Sequence, residues 1–387
     1  MARFQNREVL SDACANGGRD DLSTGPSRWW PRLARITRVN QHILRFLEGP
    51  GKGVITVPEA GQLGCSPTVL KKLFRDDTLT RVAIGTYVST AQLHTPVRDG
   101  KQLHDYALAE HQHLLRLDAL LRLHGPKVAA SHQSAVLAWG LPTAKSSLER
   151  IHLVHTKRGR TARRRETHSL HTCELDDVIT RHKGRLVVIP ALAVIGQAME
   201  VGLVAGVGCM DAAIVAQHTT RSELSEMVEK LRHSPGLGLA RRALELTDGL
   251  AESPGETRLR LVLIELGFSF RAQHWIRIGE SATYYRVDFY LYELGVVLEY
   301  DGQGKYGEDR KAADSGKPRP AGSVNQALTD EKAREDDLRL DGFGVGRVTS
   351  STLTAEKVRK IVTTAQRQAQ PSAVHRPAEP PPWARAG

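Results

Sequence analysis

Residues 285–307 read YRVDFYLYELGVVLEYDGQGKYG. Two apolar and aromatic runs, Val287–Tyr292 and Val296–Asp301, flank Glu293-Leu294-Gly295. This pattern predicts two antiparallel strands joined by a tight turn. Glu299 and Asp301 are two residues apart and so share a face of the second strand. A two-residue turn at Leu294-Gly295 would set Asp288 opposite Asp301 and Tyr290 opposite Glu299. Asp288, Glu299 and Asp301 would then crowd one sheet face among Val287, Phe289, Val297 and Leu298. Carboxylates so placed repel one another and are costly to ionise without compensation. A hard divalent cation with oxygen ligands, Mg²⁺ or Mn²⁺, relieves both costs and can activate water for attack on phosphate. The plainer alternative is a set of solvated strand-end acids.

Outward from this pair the pattern is helix, three strands, helix, strand. Ser253-Pro254-Gly255-Glu256 opens a helix to Leu266, Phe270–Ile278 is a strand, and Gly302–Ser323 is a loop. Ala327–Leu340 is a charged helix, Phe343–Val348 a strand and Thr354–Ala365 a last helix. Together with GETRLRLVLIELGF (255–268) and EKAREDDLRLDGFGVGRV (331–348), the opening stretch resembles the Vsr-like (very-short-patch-repair-like) endonucleases of the PD-(D/E)XK superfamily, over about 251–350. The resemblance implies that Asp288 and Glu299 ligate the metal and that Glu256 completes the acidic cluster. Asp301 stands where the superfamily usually has Lys, with Lys305 placed to supply that charge. It also implies phosphate contacts from Lys332 and Arg334, with Asp336 orienting one of them. The alternative for this helix is a solvated surface laced with i,i+4 charge pairs such as Lys332–Asp336.

Residues 40–90 predict a compact unit of three short helices and a two-stranded wing, the winged helix-turn-helix pattern. Thr56 and Glu59 have capping-box spacing, and Ser66-Pro67 opens the third helix. VITVPEAGQLGCSPTVLKKLFRDDTLTRVAIGTYV (54–88) resembles the N-terminal domain of AbiEi-type antitoxins, with Gly53, Thr56, Gly64, Ser66, Leu79, Arg81, Gly85 and Tyr87 matching its pattern. That resemblance implies Ser66, Thr68, Lys71 and Lys72 facing the major groove and Arg75 or Arg81 meeting phosphate. A winged helix used for protein contact is the alternative.

The 387 residues carry a net charge of +11, with 40% hydrophobic and 25% charged residues. This composition excludes wholesale disorder and favours a polyanionic partner. No apolar run is long enough to span a bilayer, and the opening residues lack a secretory signal. Cys14, Cys65, Cys173 and Cys209 form no CxxC pair, which argues against a disulfide framework and a zinc knuckle and fits a cytoplasmic protein. The close histidine pairs 111/113, 152/155 and 168/171 read as surface or packing residues. The basic run Lys157–Arg165 reads as an exposed loop, either simply solvated or tracking phosphate.

The expected fold class is therefore mixed α/β in several domains. A disordered leader (1–38) precedes a winged helix-turn-helix (39–90) and a mainly helical middle domain (91–250). A restriction-endonuclease-like mixed sheet flanked by helices (251–368) and a disordered Pro-rich tail (369–387) complete it. The expected function is DNA binding with metal-dependent phosphodiester hydrolysis. The alternative is a non-catalytic antitoxin or transcriptional regulator in a toxin–antitoxin or phage-defence system, partnered by DNA and a cognate toxin.

Overall fold

The computed structural model describes residues 41–49, 51–98, 101–103, 105–279, 283–302 and 323–384. The expected leader, Lys305 and residues 303–322 of the expected loop lie outside the described residues.

The first unit contains α1 (41–48), β1 (Val54–Thr56), α2 (Val57–Gln62), α3 (Pro67–Arg75), β2 (Leu79–Ala83), β3 (Thr86–Ser89) and α4 (Thr90–His94). The predicted capping box forms: Glu59 N donates to Thr56 Oγ1 at 3.4 Å, and Thr56 N donates to Glu59 Oε2 at 2.8 Å. Ile43, Leu47, Ile55, Leu70, Leu73 and Leu79 make its core. The wing is a three-stranded sheet, β1-β3-β2, so β1 joins the two strands expected from sequence. A short hairpin, β4 (Val97–Arg98) and β5 (Lys101–Gln102), leads to α5 (Asp105–His124). Leu115 and Ala119 of α5 pack on Val54, Val88 and Leu93 of the first unit. Leu117 and Leu120 enter the core of the second. This double burial explains why the helix is apolar on more than one face.

The middle unit departs from the mainly helical expectation. Its strands are β6 (Val128–Ala130), β7 (Ile151–His155), β8 (Arg163–Arg164), β9 (His168–His171), β10 (Ile179–His182) and β11 (Arg185–Val188). They form a six-stranded mixed sheet ordered β10-β11-β6-β7-β9-β8. Packed with it are α6 (His132–Ala138), α7 (Pro190–Val201), α8 (Leu203–Val215), α9 (Arg221–Lys230) and α10 (Leu237–Leu246). Its central strands are short and buried on both sides, so they show no alternation. The parallel pairings β11–β6 and β7–β9 also escape any hairpin signal. The basic run is exposed, and Arg163 and Arg164 form the edge strand, where charge blunts edge-to-edge pairing.

His113 of α5 is fully buried, its Nδ1 2.8 Å from the Leu148 carbonyl and its Nε2 2.8 Å from Ser134 Oγ. Burial pushes its pKa down to about 4. The unfolded chain therefore binds this proton below about pH 6.5 while the folded chain does not. Its contribution is full above that pH and is lost as pH falls towards 4, at about 1.4 kcal/mol per unit. In urea titrations, His113→Gln should be destabilised at pH 7, with the gap to wild type narrowing by pH 4. A gap constant with pH would contradict this.

The last unit contains α11 (Pro254–Glu265), β12 (Arg271–Ile278), β13 (Thr283–Leu291), β14 (Val296–Asp301), α12 (Ser323–Leu340), β15 (Gly344–Thr349) and α13 (Ala355–Gln366). The sheet order is β12-β13-β14-β15, with only β14–β15 parallel, as a crossover through α12 requires. Helices α11 and α13 cover one face through Leu259, Leu263, Val358 and Val362. Leu338 of α12 covers the other with Tyr290, Val297 and Phe343. The register differs from the expected one. Leu291 pairs with Val296 and Phe289 with Leu298, so four residues rather than two connect the strands. The ladder runs from Leu291–Val296 to Phe289–Leu298, a register two residues away from the one that would set Asp288 opposite Asp301.

The expected disordered tail is also corrected. Ala373 is fully buried, and Tyr290 donates to its carbonyl. Gln370 N donates to Gly342 O at 2.8 Å and His375 N to Tyr292 O at 2.8 Å. Arg376 pairs with Asp341, its guanidinium 5.3 Å from the Phe343 ring centre. These contacts let the proline-containing segment cover apolar sheet surface. Among the described residues, no helix is long and apolar enough to cross a membrane.

Candidate functional site

The first candidate is the outer face of α3. Ser66 caps it, accepting from Val69 N at 3.4 Å. Leu70 and Leu73 anchor the inner face, which leaves Ser66, Thr68, Lys71, Lys72 and Arg75 exposed. Arg81 on β2 is also exposed, its guanidinium 5.7 Å from the Phe74 ring centre at the end of α3. Ile84 at the wing tip is 88% exposed beside Gly85, whose φ of 77° suits a tight turn. The residues expected to contact DNA, Ser66, Thr68, Lys71, Lys72, Arg75 and Arg81, thus all lie on the surface, at the cap of α3, along it or on the adjoining strand.

The second candidate is the acidic end of the C-terminal sheet. Gly255 brings the start of α11 against β14: a Cβ there would run into the Tyr300 ring. Glu256, next in sequence, is 8% exposed. Its Oε1 accepts from Ser253 Oγ at 2.8 Å, and its Oε2 accepts from Glu252 N at 2.9 Å and Gln273 Nε2 at 3.1 Å. Burial, and then the charge of Asp288, raise its pKa above the ordinary glutamate range. Asp288 Oδ2 accepts from Tyr300 N at 2.8 Å. Glu256 thus lies within electrostatic reach of Asp288, the two acids that the family resemblance links.

Glu299 is engaged differently. Arg334 Nη2 lies 2.6 Å from its Oε1 and 2.9 Å from the Arg286 carbonyl, with the guanidinium 5.7 Å from the Tyr285 ring centre. Arg334, expected at phosphate, is thus spent on Glu299, while Lys332 is exposed on α12. Asp336 is exposed, and the salt bridges of this helix run instead through Glu331, Arg334, Glu335 and Arg339. Side-chain alternation also slips along β13: Val287 and Tyr290 join one core, Phe289 and Leu291 the other. The slip faces Gln273, whose φ is 51°. Asp288 consequently turns towards α11 and Glu299 towards α12.

The trio Asp288, Glu299 and Asp301 does not converge on one point. Among the described residues, three ligating side chains come within 4.8 Å of one another only at His132, His152 and His171. The three rings pack on one another, which agrees with the reading of the histidines as packing residues and adds that these three form one cluster. No sequence signal marks them, because they meet only through the neighbouring strands β6, β7 and β9.

No family model matches the chain. It is similar to the uncharacterized proteins MT2308 and Rv2248 of Mycobacterium tuberculosis (strains CDC 1551 / Oshkosh and ATCC 25618 / H37Rv). Each is 30% identical over 123 residues, 32% of this chain. The match spans 45% of each relative's length, less than half.

Proposed function

We propose that this chain is a DNA-binding protein whose winged helix-turn-helix places α3 in the major groove. The observation that carries this reading is the one-sided helix: Leu70 and Leu73 are buried while Ser66, Thr68, Lys71, Lys72 and Arg75 face solvent. Hydroxyls near the helix start offer base-edge or phosphate contacts, and the cations neutralise backbone charge. The net charge of +11 supports the same partner. The salt bridge between Arg334 and Glu299 favours the regulator form of this reading, with a C-terminal domain that binds rather than cuts and a cognate toxin as protein partner. Fluorescence anisotropy with a labelled duplex tests it: affinity should fall steeply between about 50 and 200 mM salt. Salt-independent affinity would sink the DNA reading.

Metal-dependent hydrolysis is the second reading, favoured by the proximity of Glu256 to Asp288. Nicking of supercoiled plasmid in Mg²⁺ or Mn²⁺ that disappears in both Asp288→Asn and Glu299→Gln would establish it. Equal nicking by wild type and both variants would assign the activity to a contaminant. No nicking by any of them leaves the regulator reading.

A further inference from the structure

We infer that the middle domain holds a transition-metal site in which His132, His152 and His171 bind one Zn²⁺-class ion. The sheet order places β6, β7 and β9 side by side. His132 follows β6 at the opening of α6, His152 lies within β7 and His171 ends β9. One nitrogen from each ring lies within 4.8 Å of the others. His152 Nδ1 is 2.9 Å from His171 Nε2, and the His132 ring stacks on His171 with centres 3.9 Å apart.

Two features show that the cluster is built into the fold. His132 has φ 49°, the left-handed region that non-glycine residues rarely occupy. Gly196 on α7 leaves room for its ring, since a Cβ there would lie 3.1 Å away. One turn further along α7, Glu200 Oε1 is 3.8 Å from His152 Nε2. At that distance it is a charge neighbour and not yet a hydrogen-bond partner; with His152 ligating through Nδ1, a small swing of this half-exposed carboxylate would let it accept the other ring N–H and fix the tautomer, as outer carboxylates do around metal-bound histidines.

Nitrogen donors select the ion. Imidazole suits Zn²⁺, Co²⁺, Ni²⁺ or Cu²⁺, whereas Mg²⁺ and Mn²⁺ prefer oxygen. Zinc–nitrogen bonds of about 2.0–2.1 Å in a tetrahedron set the nitrogens roughly 3.3 Å apart. Binding therefore needs the His152–His171 contact to open slightly and the His132 ring to turn off its stack. Three protein ligands leave a fourth position, the arrangement of catalytic rather than structural zinc. That position faces a cavity of about 540 Å³ lined by His132, His171, Cys173 and Glu200, where water or an anionic group completes the shell.

The test uses the full chain, stripped with chelator and titrated with Zn²⁺ or Co²⁺. Wild type should bind about one equivalent, show the visible absorption of four-coordinate Co²⁺, and keep the ion in millimolar Mg²⁺. His132→Ala and His171→Ala should each lose at least 100-fold in affinity, and Glu200→Ala about 10–100-fold. Cys173→Ser should bind as wild type does. Less than a tenth of an equivalent on wild type overturns the site, whatever the variants do. So does unchanged affinity in both histidine variants, or loss of binding in Cys173→Ser.

Discussion

Asp211→Ala should cost about 3–5 kcal/mol of stability, because it takes from a buried cation its closest carboxylate and from three further donors their acceptor. Asp211 on α8 is 1% exposed and Arg260 on α11 is 5% exposed, and Arg260 Nη2 lies 2.7 Å from Asp211 Oδ2. The same carboxylate accepts from Asp248 N and Gly249 N, both at 3.0 Å, and from Thr257 Oγ1 at 3.0 Å. Alanine removes the closer of the two carboxylates that pair with Arg260, leaving Asp248 Oδ2 at 3.2 Å from its Nε, and leaves two backbone N–H groups and a hydroxyl without that acceptor. Helix α8 belongs to the middle unit and α11 to the C-terminal unit, so the pair latches one to the other. Thermal unfolding should move down by roughly 6–20 °C and divide into two transitions as the units lose their coupling. Circular dichroism and tryptophan fluorescence in urea would report both. Asp211→Leu combined with Arg260→Met should recover much of the loss, since removing both charges avoids the desolvation penalty. A cost below about 1 kcal/mol for Asp211→Ala would show that the joint relaxes enough to hydrate Arg260.

Lys71→Ala, Lys72→Ala and Arg75→Ala combined should weaken DNA binding by about 100-fold at moderate salt. Each lost phosphate contact lowers the slope of log affinity against log salt by about 0.9, so three lower it by up to about 2.7. These side chains are exposed and their helix is anchored by Leu70 and Leu73, so stability should change little. The comparison variant is Arg163→Ala with Arg164→Ala and Arg165→Ala, which removes exposed charge from the sheet edge without touching α3. Anisotropy titrations of both at several salt concentrations decide the matter. If the edge variant loses affinity and the α3 variant does not, the DNA face lies on the middle unit.

The two outer units were the legible ones, and for a common reason. In 40–90 the signals are local: Thr56 with Glu59, Ser66 before Pro67, and Gly85 between two strands. Each is satisfied within a few residues, and the structure forms all three. In 251–350 the order of helices and strands also follows local periodicity. The error there concerned the turn. Leu294-Gly295 looks like a two-residue connection, but the ladder closes two residues earlier at Leu291 and Val296. Glu256 and Asp288 do come together. Glu299 does not join them, because Arg334 claims it from the opposite side of the sheet.

The middle unit was illegible for the converse reason. Val128–Ala130 and Ile151–His155 are short and buried on both faces, so neither alternates. Their partners are set by parallel pairings to distant residues. The tail misled in the same way: prolines argue against a core, yet Ala373 and Arg376 find theirs against Tyr290 and Asp341.

By itself the sequence determined a multidomain α/β chain, an N-terminal unit with one cationic helix face, and acidic residues clustered at one C-terminal hairpin. Those properties reside in side-chain period, caps and charge, which act over a few residues. Tertiary structure alone decided that the hairpin acids diverge, that Asp211 and Arg260 join two units, and that three histidines separated by about twenty residues each meet at one point. Each of these depends on which strands lie side by side or which helices pack. That choice is made by burial of the whole core, and no window of sequence carries it.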